Sequence, residues 1–265
     1  MLTVATYNLL HGLHIAERGR LDLAAAADTI ASLGADIVAV QEVDRELERT
    51  GKVDQVAWIA QRLGWYGTFA PALIGSPETA WRAITRADPG GPGYGVGVLS
   101  RLPLQRPERL SLPGGGDGQR RTSATLRNPG WDREPRVALR VEVDLGDGAL
   151  AFTTTHLSYL PWRGVVQLRR AAAWAADGAR PAVLIGDFNL PARPVRALVP
   201  GWQHAEAPPT YPAWQPRVQI DQLLVRGLQV KALRVHPDTT SDHLPLIADL
   251  VAAPPETPPE TPADT

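Results

Sequence analysis

The sequence has 265 residues, with 27 basic and 28 acidic side chains and a formal charge of −1. This length suits one large domain with a substantial core, and the near-zero charge excludes the strong positive field of an indiscriminate duplex-DNA binder. Cysteine is absent, which excludes disulfides, thiolate nucleophiles and cysteine-containing zinc sites. No apolar run approaches the ~18 to 20 residues of a membrane span, so we expect a soluble protein.

The N-terminus has no basic flank followed by an apolar run, so the sequence shows no secretory signal. The first candidate active-site residue, Asn8, lies too near the start for a cleaved segment to precede it. We therefore expect a cytoplasmic location.

Hydrophobic patterning predicts strands interrupted by a few helices. The β-type apolar runs are residues 2–9, 36–40, 95–99, 137–145, 149–155, 182–185, 219–225 and 244–250. Helical periodicity is typical of residues 22–33, 53–63 and 165–176, each followed closely by a glycine that suits a helix C-terminus. This order favours an α+β fold, with sheets packed on one another and helices outside, over a strictly alternating parallel fold.

Two long stretches rich in glycine and proline, residues 70–93 and 112–131, are predicted to be loops on one rim that shape the substrate site. Their arginines are candidates for a local anion-attracting rim: Arg82, Arg86, Arg120, Arg121 and Arg127. The folded domain is expected to cover residues 1–252. Residues 253–265 are proline-rich and acidic, and we predict that they form a disordered tail.

Six segments each place a carboxylate, imidazole or carboxamide at or just beyond the end of an apolar strand. They are ATYNLLHG with Asn8, VAVQEVDRE with Glu42, FTTTHLS with His156, VLIGDFN with Asp187 and Asn189, VQIDQLLV with Asp221, and TTSDHLPL with Asp242 and His243. Taken alone, Asn8, Glu42 or a single histidine is more often a turn, surface or structural residue than a functional one, and GDFN is as often a simple turn as a site. Their recurrence at or just beyond the ends of several strands is the signal, and their chemistry is coherent as a set.

The residue types in these segments suit metal and phosphate chemistry. Glu42 offers a hard oxygen ligand of the kind that Mg²⁺ or Mn²⁺ takes together with water and phosphate oxygens. Asp187 and Asn189 are two residues apart on an extended backbone, so they project to the same side and can hold an attacking water and a developing oxyanion. Asp221 lies in a predicted core strand and needs a partner, and His243 is an available one.

The ordered motifs TYN, QEVD, GYGVGVLSR, THLS, GDFN, QID and SDHLPL, spread over residues 3–250, resemble the endonuclease/exonuclease/phosphatase superfamily. That superfamily includes DNase I, abasic-site endonucleases, neutral sphingomyelinases, inositol polyphosphate 5-phosphatases and deadenylases. The resemblance implies a DNase I-like four-layer αββα sandwich, in which two packed mixed β-sheets have helices outside and the site lies at one end of the sheets.

The resemblance also implies a Mg²⁺ or Mn²⁺ site. Glu42 would be the principal ligand, supported by Asn8, with Asp242 near the metal or its waters. Some nuclease members have an arginine two residues after the metal-binding glutamate, where this chain has Asp44. Glu134, in EPRVAL, resembles the glutamate that supports a phosphate-binding histidine in nuclease members.

The catalytic roles carry over in the same way. Asp187 would align or deprotonate water, and Asn189 would contact the phosphoryl group. His243 would act at the scissile phosphate, oriented by Asp221. His156 would bind phosphate.

These roles predict hydrolysis of a phosphate ester by direct in-line attack of water. The near-neutral charge favours a small-molecule or lipid-headgroup substrate. A nuclease of the DNase or abasic-site type fits the same core, so nucleic acid stays open as a partner. An inactive binding module is a third interpretation, which the retention of the metal, water-aligning and histidine positions disfavours. The sequence carries no signal for oligomeric state.

Overall fold

The computed structural model describes residues 1–85, 90–119, 132–146, 148–178, 181–237 and 239–253. The strands in these ranges are β1 (Leu2–Asn8), β2 (Leu13–His14), β3 (Arg20–Leu21), β4 (Ile37–Arg45), β5 (Tyr66–Gly75), β6 (Ala80–Ala83), β7 (Gly93–Ser100), β8 (Leu104–Leu112), β9 (Gly118–Gln119), β10 (Arg136–Asp144), β11 (Ala149–His156), β12 (Ala182–Asp187), β13 (Gln203–His204), β14 (Asp221–Arg226), β15 (Leu228–Val235) and β16 (Leu246–Ala252). The α-helices are α1 (Leu23–Ser32), α2 (Gln55–Leu63), α3 (Pro161–Ala175) and α4 (Ala192–Leu198). Within the described ranges, no helix has the length and hydropathy needed to cross a membrane.

Two mixed sheets contain most of the strands. The first has the order β15-β16-β1-β4-β7-β5-β6-β9, and the second has the order β13-β14-β12-β11-β10-β8. Most neighbouring strands are antiparallel, but β1 pairs with β4 and β11 pairs with β12 in parallel. The short strands β2 and β3 form a separate antiparallel pair.

Three apolar clusters show how the layers stack. In β4, Ile37 and Ala39 face the second sheet, where they join a cluster that includes Phe152. The alternate residues Val38 and Val40 face α1 and α2, as the two-residue period of a strand requires. A third cluster packs α3 and α4 on the outer face of the second sheet. The order helix, sheet, sheet, helix confirms the predicted αββα sandwich.

The predicted strands and helices are all present, with ends shifted by a few residues. The prediction of a loop at residues 70–93 is wrong for much of that segment, because β5 continues to Gly75 and β6 follows it. Pro71 lies where the pairing of β5 with β7 shifts register, a position at which a missing N–H costs little. The second predicted loop begins with β8 and β9, and its residues 120–131 lie outside the described residues. Of the five rim arginines, Arg82 lies on β6 and the other four lie outside the described residues.

One edge of the sandwich collects the polar residues that the sequence places at strand ends. Strands β1, β11 and β12 end there with Asn8, His156 and Asp187. Strand β14 begins at the same edge with Asp221, which pairs with Asp187 in the antiparallel register. The topology therefore gathers side chains that are far apart in the sequence, since the hydrogen bond between Asn8 and Asp187 joins residues 179 positions apart.

A buried polar link joins the two sheets directly beneath this edge. The Thr6 hydroxyl donates to Gln41 Oε1 at 3.0 Å, and Gln41 Nε2 donates to the Thr154 hydroxyl of the other sheet at 3.0 Å. All three side chains are fully buried. Because buried polar groups are costly when unpaired, this link fixes the spacing of the sheets under the site.

Candidate active site

A cleft of about 370 Å³ opens at this edge. Seven of the nine predicted site residues line it: Glu42, Glu134, His156, Asp187, Asn189, Asp242 and His243. The other two lie directly behind the cleft wall, where Asn8 contacts Asp187 and Asp221 contacts His243. The structure thus brings all nine residues together, and their individual roles stay predictions.

Glu42 reaches the cleft from a β-bulge. The register of β4 against β7 shifts between Gln41 and Val43, and Glu42 has a φ of 55°. Such a bulge re-aims a side chain out of the regular pleat. Asn8 Nδ2 donates to Glu42 Oε1 at 3.0 Å, and the Leu10 N–H fixes the amide orientation by donating to Asn8 Oδ1. Burial raises the pKa of Glu42 to about 7, although the Asn8 hydrogen bond opposes that shift.

Asp187 and Asn189 of the GDFN segment are positioned by the close approach of β12 to β11 at Gly186. Gly186 has a φ of 146°, and a Cβ at this position would lie 2.1 Å from the Thr155 carbonyl oxygen. Only glycine therefore lets β12 run this close to β11. Asp187 Oδ1 then accepts from the Asn189 N–H at 2.9 Å, and Asn189 Nδ2 donates to the Leu157 carbonyl at 3.0 Å.

His243 forms the predicted pair with Asp221. Its Nδ1 lies 2.9 Å from Asp221 Oδ2, which also accepts from the Thr210 hydroxyl at 2.6 Å. Burial lowers the pKa of His243, but the negative charges of Asp221 and Asp187 outweigh burial and raise it to about 10. The ring is therefore an imidazolium at neutral pH. Its Nε2 lies 3.7 Å from Asp187 Oδ2.

His156 has a different partner from the one that the resemblance suggests. Arg136 Nη1 lies 3.0 Å from His156 Nδ1, and Glu134 Oε1 lies 3.1 Å from the same Arg136 nitrogen. Glu134 therefore reaches His156 through Arg136 rather than directly. Burial lowers the pKa of His156 well below its ordinary value, and the positive charge of Arg136 lowers it further. His156 is neutral where His243 is charged.

Asp187 lies between the two histidines. Its Oδ2 is 3.6 Å from His156 Nε2, and Asn8 Nδ2 donates to it at 3.1 Å. Burial raises the pKa of Asp187 to about 6, against the attraction of the nearby His243 charge. Asp187, Asp221 and His243 offer ligand-type atoms within 4.8 Å of one another, a group that could hold a metal ion. The hydrogen bond between Asp221 and His243 limits that use, because it already engages one nitrogen of the His243 ring and one oxygen of Asp221.

Two further charged residues of the site were not predicted. Arg136 is one, and its signal was the EPR tripeptide at the start of β10. The other is Arg49, which lines the cleft and binds buried Asp44 through two contacts of 2.7 Å each. Asp44 thus brings a guanidinium to the cleft from a different position. Asp242 also lines the cleft and accepts from the Ser241 hydroxyl at 3.2 Å.

Comparison with known proteins decides the family. The profile of the Endonuclease/Exonuclease/phosphatase family matches residues 5–243, nearly the whole chain. The protein belongs to this family. A search of curated proteins finds no match.

Solved structures of family members share the fold. The endonuclease/exonuclease/phosphatase from Beutenbergia cavernae DSM 12333 superposes with a TM-score of 0.75 at 23% identity, covering 95% of this chain and 71% of that one. The Bacteroides thetaiotaomicron VPI-5482 mannosyl-6-phosphatase gives 0.66 at 17% identity, covering 95% and 100%. D. rerio TDP2 complexed with a single-strand DNA product gives 0.62 at 16% identity, covering 95% and 99%. At these identities the likeness shows the DNase I-like fold alone, and a shared fold does not fix a substrate.

Proposed function

We propose that the protein is a Mg²⁺- or Mn²⁺-dependent phosphoric ester hydrolase that cleaves its substrate by in-line attack of water. The observation that carries this proposal is the meeting of three groups in one buried cleft. Asn8 Nδ2 lies within hydrogen-bond distance of both Glu42 and Asp187, and His243 Nε2 lies 3.7 Å from the same Asp187 oxygen. A candidate metal ligand, a candidate base and an imidazolium thus surround one small space.

The residues of the cleft fit a hard divalent cation. Glu42 and Asp242 both offer carboxylate oxygens, the ligands that Mg²⁺ prefers. Burial raises the pKa of Glu42 to about 7, as expected for a carboxylate in need of a compensating positive charge. Glu42 would hold the ion, Asn8 would orient that carboxylate, and Asp242 would lie near the ion's waters. When bound, the ion supplies positive charge to the phosphoryl oxygens.

Asp187 is suited to hold and deprotonate the attacking water. Its pKa of about 6 lies close enough to neutrality for the carboxylate to be ionised and still basic. Asn8 Nδ2 and the Asn189 N–H each donate to one of its two oxygens, so the carboxylate has a fixed orientation. A proton taken from water at Asp187 would stay inside the cleft, 3.7 Å from His243.

His243 would act on the phosphoryl group as a positive charge and a proton donor. Because Asp221 accepts from Nδ1, the Nε2–H is left for the cleft. The imidazolium would stabilise charge that develops on the phosphoryl or leaving-group oxygen. Asp221 would orient the ring and keep it protonated.

The proposal also specifies the class of substrate, a small-molecule or lipid-headgroup phosphate ester. A cleft of about 370 Å³ suits a small-molecule or lipid-headgroup phosphate, and a net charge of −1 gives little attraction for a long polyanion. The mannosyl-6-phosphatase of Bacteroides thetaiotaomicron shares the fold, which supports a small phosphate ester. The DNA-bound D. rerio TDP2 also shares it and supports the nuclease alternative.

A substrate panel tests the proposal. Purified protein is incubated with Mg²⁺, Mn²⁺ or EDTA and with p-nitrophenyl phosphate, bis-p-nitrophenyl phosphate, sugar 6-phosphates, inositol phosphates, phospholipid vesicles, single-stranded DNA or supercoiled plasmid. We expect turnover of a small ester or headgroup that EDTA stops and added metal restores. Activity that persists in Asp187→Asn would come from contaminating phosphatases. The matched control is Asp144→Asn, because Asp144 is the exposed last residue of β10 and lies outside the cleft.

The same panel separates the alternatives. Rapid plasmid nicking at physiological salt, with none of the small esters turned over, would make the protein a nuclease. Metal binding without turnover of any substrate would favour the binding module.

A further inference from the structure

Two side-chain nitrogen atoms of the site lie within hydrogen-bond distance of each other. His156 Nε2 is 3.2 Å from Asn189 Nδ2. The Leu157 carbonyl fixes the Asn189 amide, because Nδ2 donates to it at 3.0 Å and the reversed amide would set oxygen against oxygen. The position of the proton on His156 therefore decides whether this contact is a hydrogen bond or a pair of donors.

Arg136 determines where that proton is. Its Nη1 lies 3.0 Å from His156 Nδ1, and a guanidinium has five donors, no acceptor and a permanent charge. Nδ1 must therefore present its lone pair to Arg136. In the neutral ring the remaining proton is then on Nε2. A charged ring would place N–H against N–H, in line with the lowered pKa of His156.

The guanidinium cannot easily turn away from the histidine. Arg136 is only 5% exposed, and it also contacts Glu134 Oε1 at 3.1 Å and Asp132 Oδ2 at 3.4 Å. Asp132 in turn accepts from the Ser158 hydroxyl at 2.6 Å. Buried Asp132 and partly exposed Glu134 thus hold the arginine in one orientation.

No carboxylate in the described cleft takes the Nε2 proton of His156 at hydrogen-bond distance. Asp187 Oδ2 lies 3.6 Å away and Glu42 Oε1 lies 4.0 Å away. Asn189 Nδ2 carries a second hydrogen besides the one that it donates to the Leu157 carbonyl, and Nδ2 lies 3.2 Å from His156 Nε2. Two donors side by side repel each other unless one oxygen accepts from both, so the pair favours an anionic oxygen.

We propose that Arg136 is a positioning residue that locks His156 as the neutral tautomer with its proton on Nε2. His156 and Asn189 then form a two-donor cradle for one non-bridging oxygen of a phosphoryl group. The cradle rests on the proposed phosphoester hydrolysis, whereas the tautomer is a property of the free protein. The two can therefore fail separately.

Nitrogen-15 NMR of the histidine rings tests the tautomer without any substrate. His156 signals are assigned by their loss in His156→Gln. We expect an unprotonated Nδ1 and a protonated Nε2 in the wild type, unchanged between about pH 6 and 9, and loss of that preference in Arg136→Met. A proton on Nδ1 in the wild type would overturn the proposal.

Inorganic phosphate then probes the cradle in the metal-loaded protein. Titration is expected to shift both the His156 Nε2–H signal and the Asn189 side-chain amide signals in the wild type. In Arg136→Met the affinity for phosphate should fall by about tenfold or more, with partial recovery in Arg136→Lys. Phosphate binding that leaves both signals in place, or that survives the loss of Arg136, would refute the cradle.

Kinetics on the best substrate gives the functional readout. We expect Arg136→Met to lower kcat by ~10- to 100-fold and also to raise KM, because the cradle contacts the phosphoryl group both before and in the transition state. Arg140→Gln is the matched control, because Arg140 lies on the same strand and binds Glu108 and the Trp174 carbonyl outside the cleft. If Arg136→Met misfolds because Asp132 and Glu134 lose their ion-pair partner, the triple variant Asp132→Asn/Glu134→Gln/Arg136→Met removes these two unpaired charges and replaces it in the assay. An unchanged kcat in a folded variant would contradict the proposal.

Discussion

His156 and His243 approach the same carboxylate from two sides, yet their surroundings give them opposite charges. The Nε2 atoms lie 3.6 and 3.7 Å from Asp187 Oδ2. Burial disfavours the charged form of both rings. At His243 the carboxylate of Asp221 outweighs burial and raises the pKa to about 10, whereas at His156 the guanidinium of Arg136 adds to burial and lowers it. The partner on Nδ1 thus decides whether a ring serves as a cation or as a neutral donor.

The largest effect is expected at Glu42, the proposed metal ligand of the cleft that both histidines line. Glu42→Gln removes the charge of the proposed metal ligand while keeping its shape, so Mg²⁺ or Mn²⁺ binding should weaken and activity should be abolished. Isothermal titration calorimetry and the ester assay measure this. Unchanged metal affinity would remove Glu42 from the metal site, and both histidines would need another explanation.

Glu42→Gln also has a stability readout whose sign is fixed by pKa. Burial raises the folded-state pKa of Glu42 from 4.5 to about 7, so the folded protein disfavours the ionised form. In EDTA the variant should therefore be the more stable protein above about pH 7, and the gain should shrink as the pH falls toward 4.5. Thermal melts at several pH values check this, and a metal-free variant that melts lower at pH 8 would contradict it.

The second prediction weighs the two histidines directly. His243→Ala should lower turnover by ~10²- to 10⁴-fold, because a charged acid is lost from the reaction centre. His156→Ala should cost less, since it removes a neutral donor. His236→Ala, outside the cleft, is the control. Equal losses of turnover in the two variants would contradict the different roles of the two histidines. A loss of only twofold in His243→Ala would mean that His156, and not His243, is the acid.

The third prediction concerns Asp221, the partner of His243, rather than the histidine itself. In Asp221→Asn the His243 pKa should fall from about 10 toward its ordinary 6.5, so the alkaline limb of the pH–rate profile should move down toward neutral pH. Turnover at lower pH should suffer less than in His243→Ala. The same shift means that the pair stabilises the wild-type fold fully below about pH 6.5 and loses this contribution as the pH rises through about 10. Profiles measured at saturating metal test this, and an unmoved limb would show that Asp221 does not set the charge.

The smallest effect is expected at the chain end. Residues 254–265 lie outside the described residues, and their composition predicts few packed contacts. Deleting everything after Ala253 should change neither melting temperature nor turnover, which gives the background against which the histidine variants are compared. A drop of several degrees would show that the tail docks on the domain.

The sequence predicts much of the site because most of its residues follow strands with clear apolar patterns. Asn8, His156 and Asp187 end β1, β11 and β12, and the structure places them at one edge, as expected for strand ends that share an edge. Strand β5 was missed because Gly67 and Pro71 interrupt its pattern. Arg136 was missed for another reason, since its contact with His156 depends on the pairing of β10 with β11. Sequence spacing alone does not give that register.

The bulge at Glu42 was also beyond prediction. A positive φ for glutamate is an uncommon conformation, and nothing in QEVD indicates it. Asp44 illustrates the same limit, because its bond to Arg49 depends on where the following short helical turn lies. The sequence predicts which residues come together at this edge, and the fold adds the charge and direction of each side chain.

The positive φ angles of Glu42 and Asn189, 55° and 52°, have a practical consequence for anyone who improves this protein in the laboratory. Glycine adopts such angles with less strain, so a screen that ranks variants by heat resistance alone can accept it at both positions. If Glu42 and Asn189 act as proposed, such a screen would enrich stable proteins that no longer bind metal or substrate, and melting curves would not reveal the loss. Libraries built on this scaffold should therefore hold residues 42 and 189 constant and select for turnover in every round.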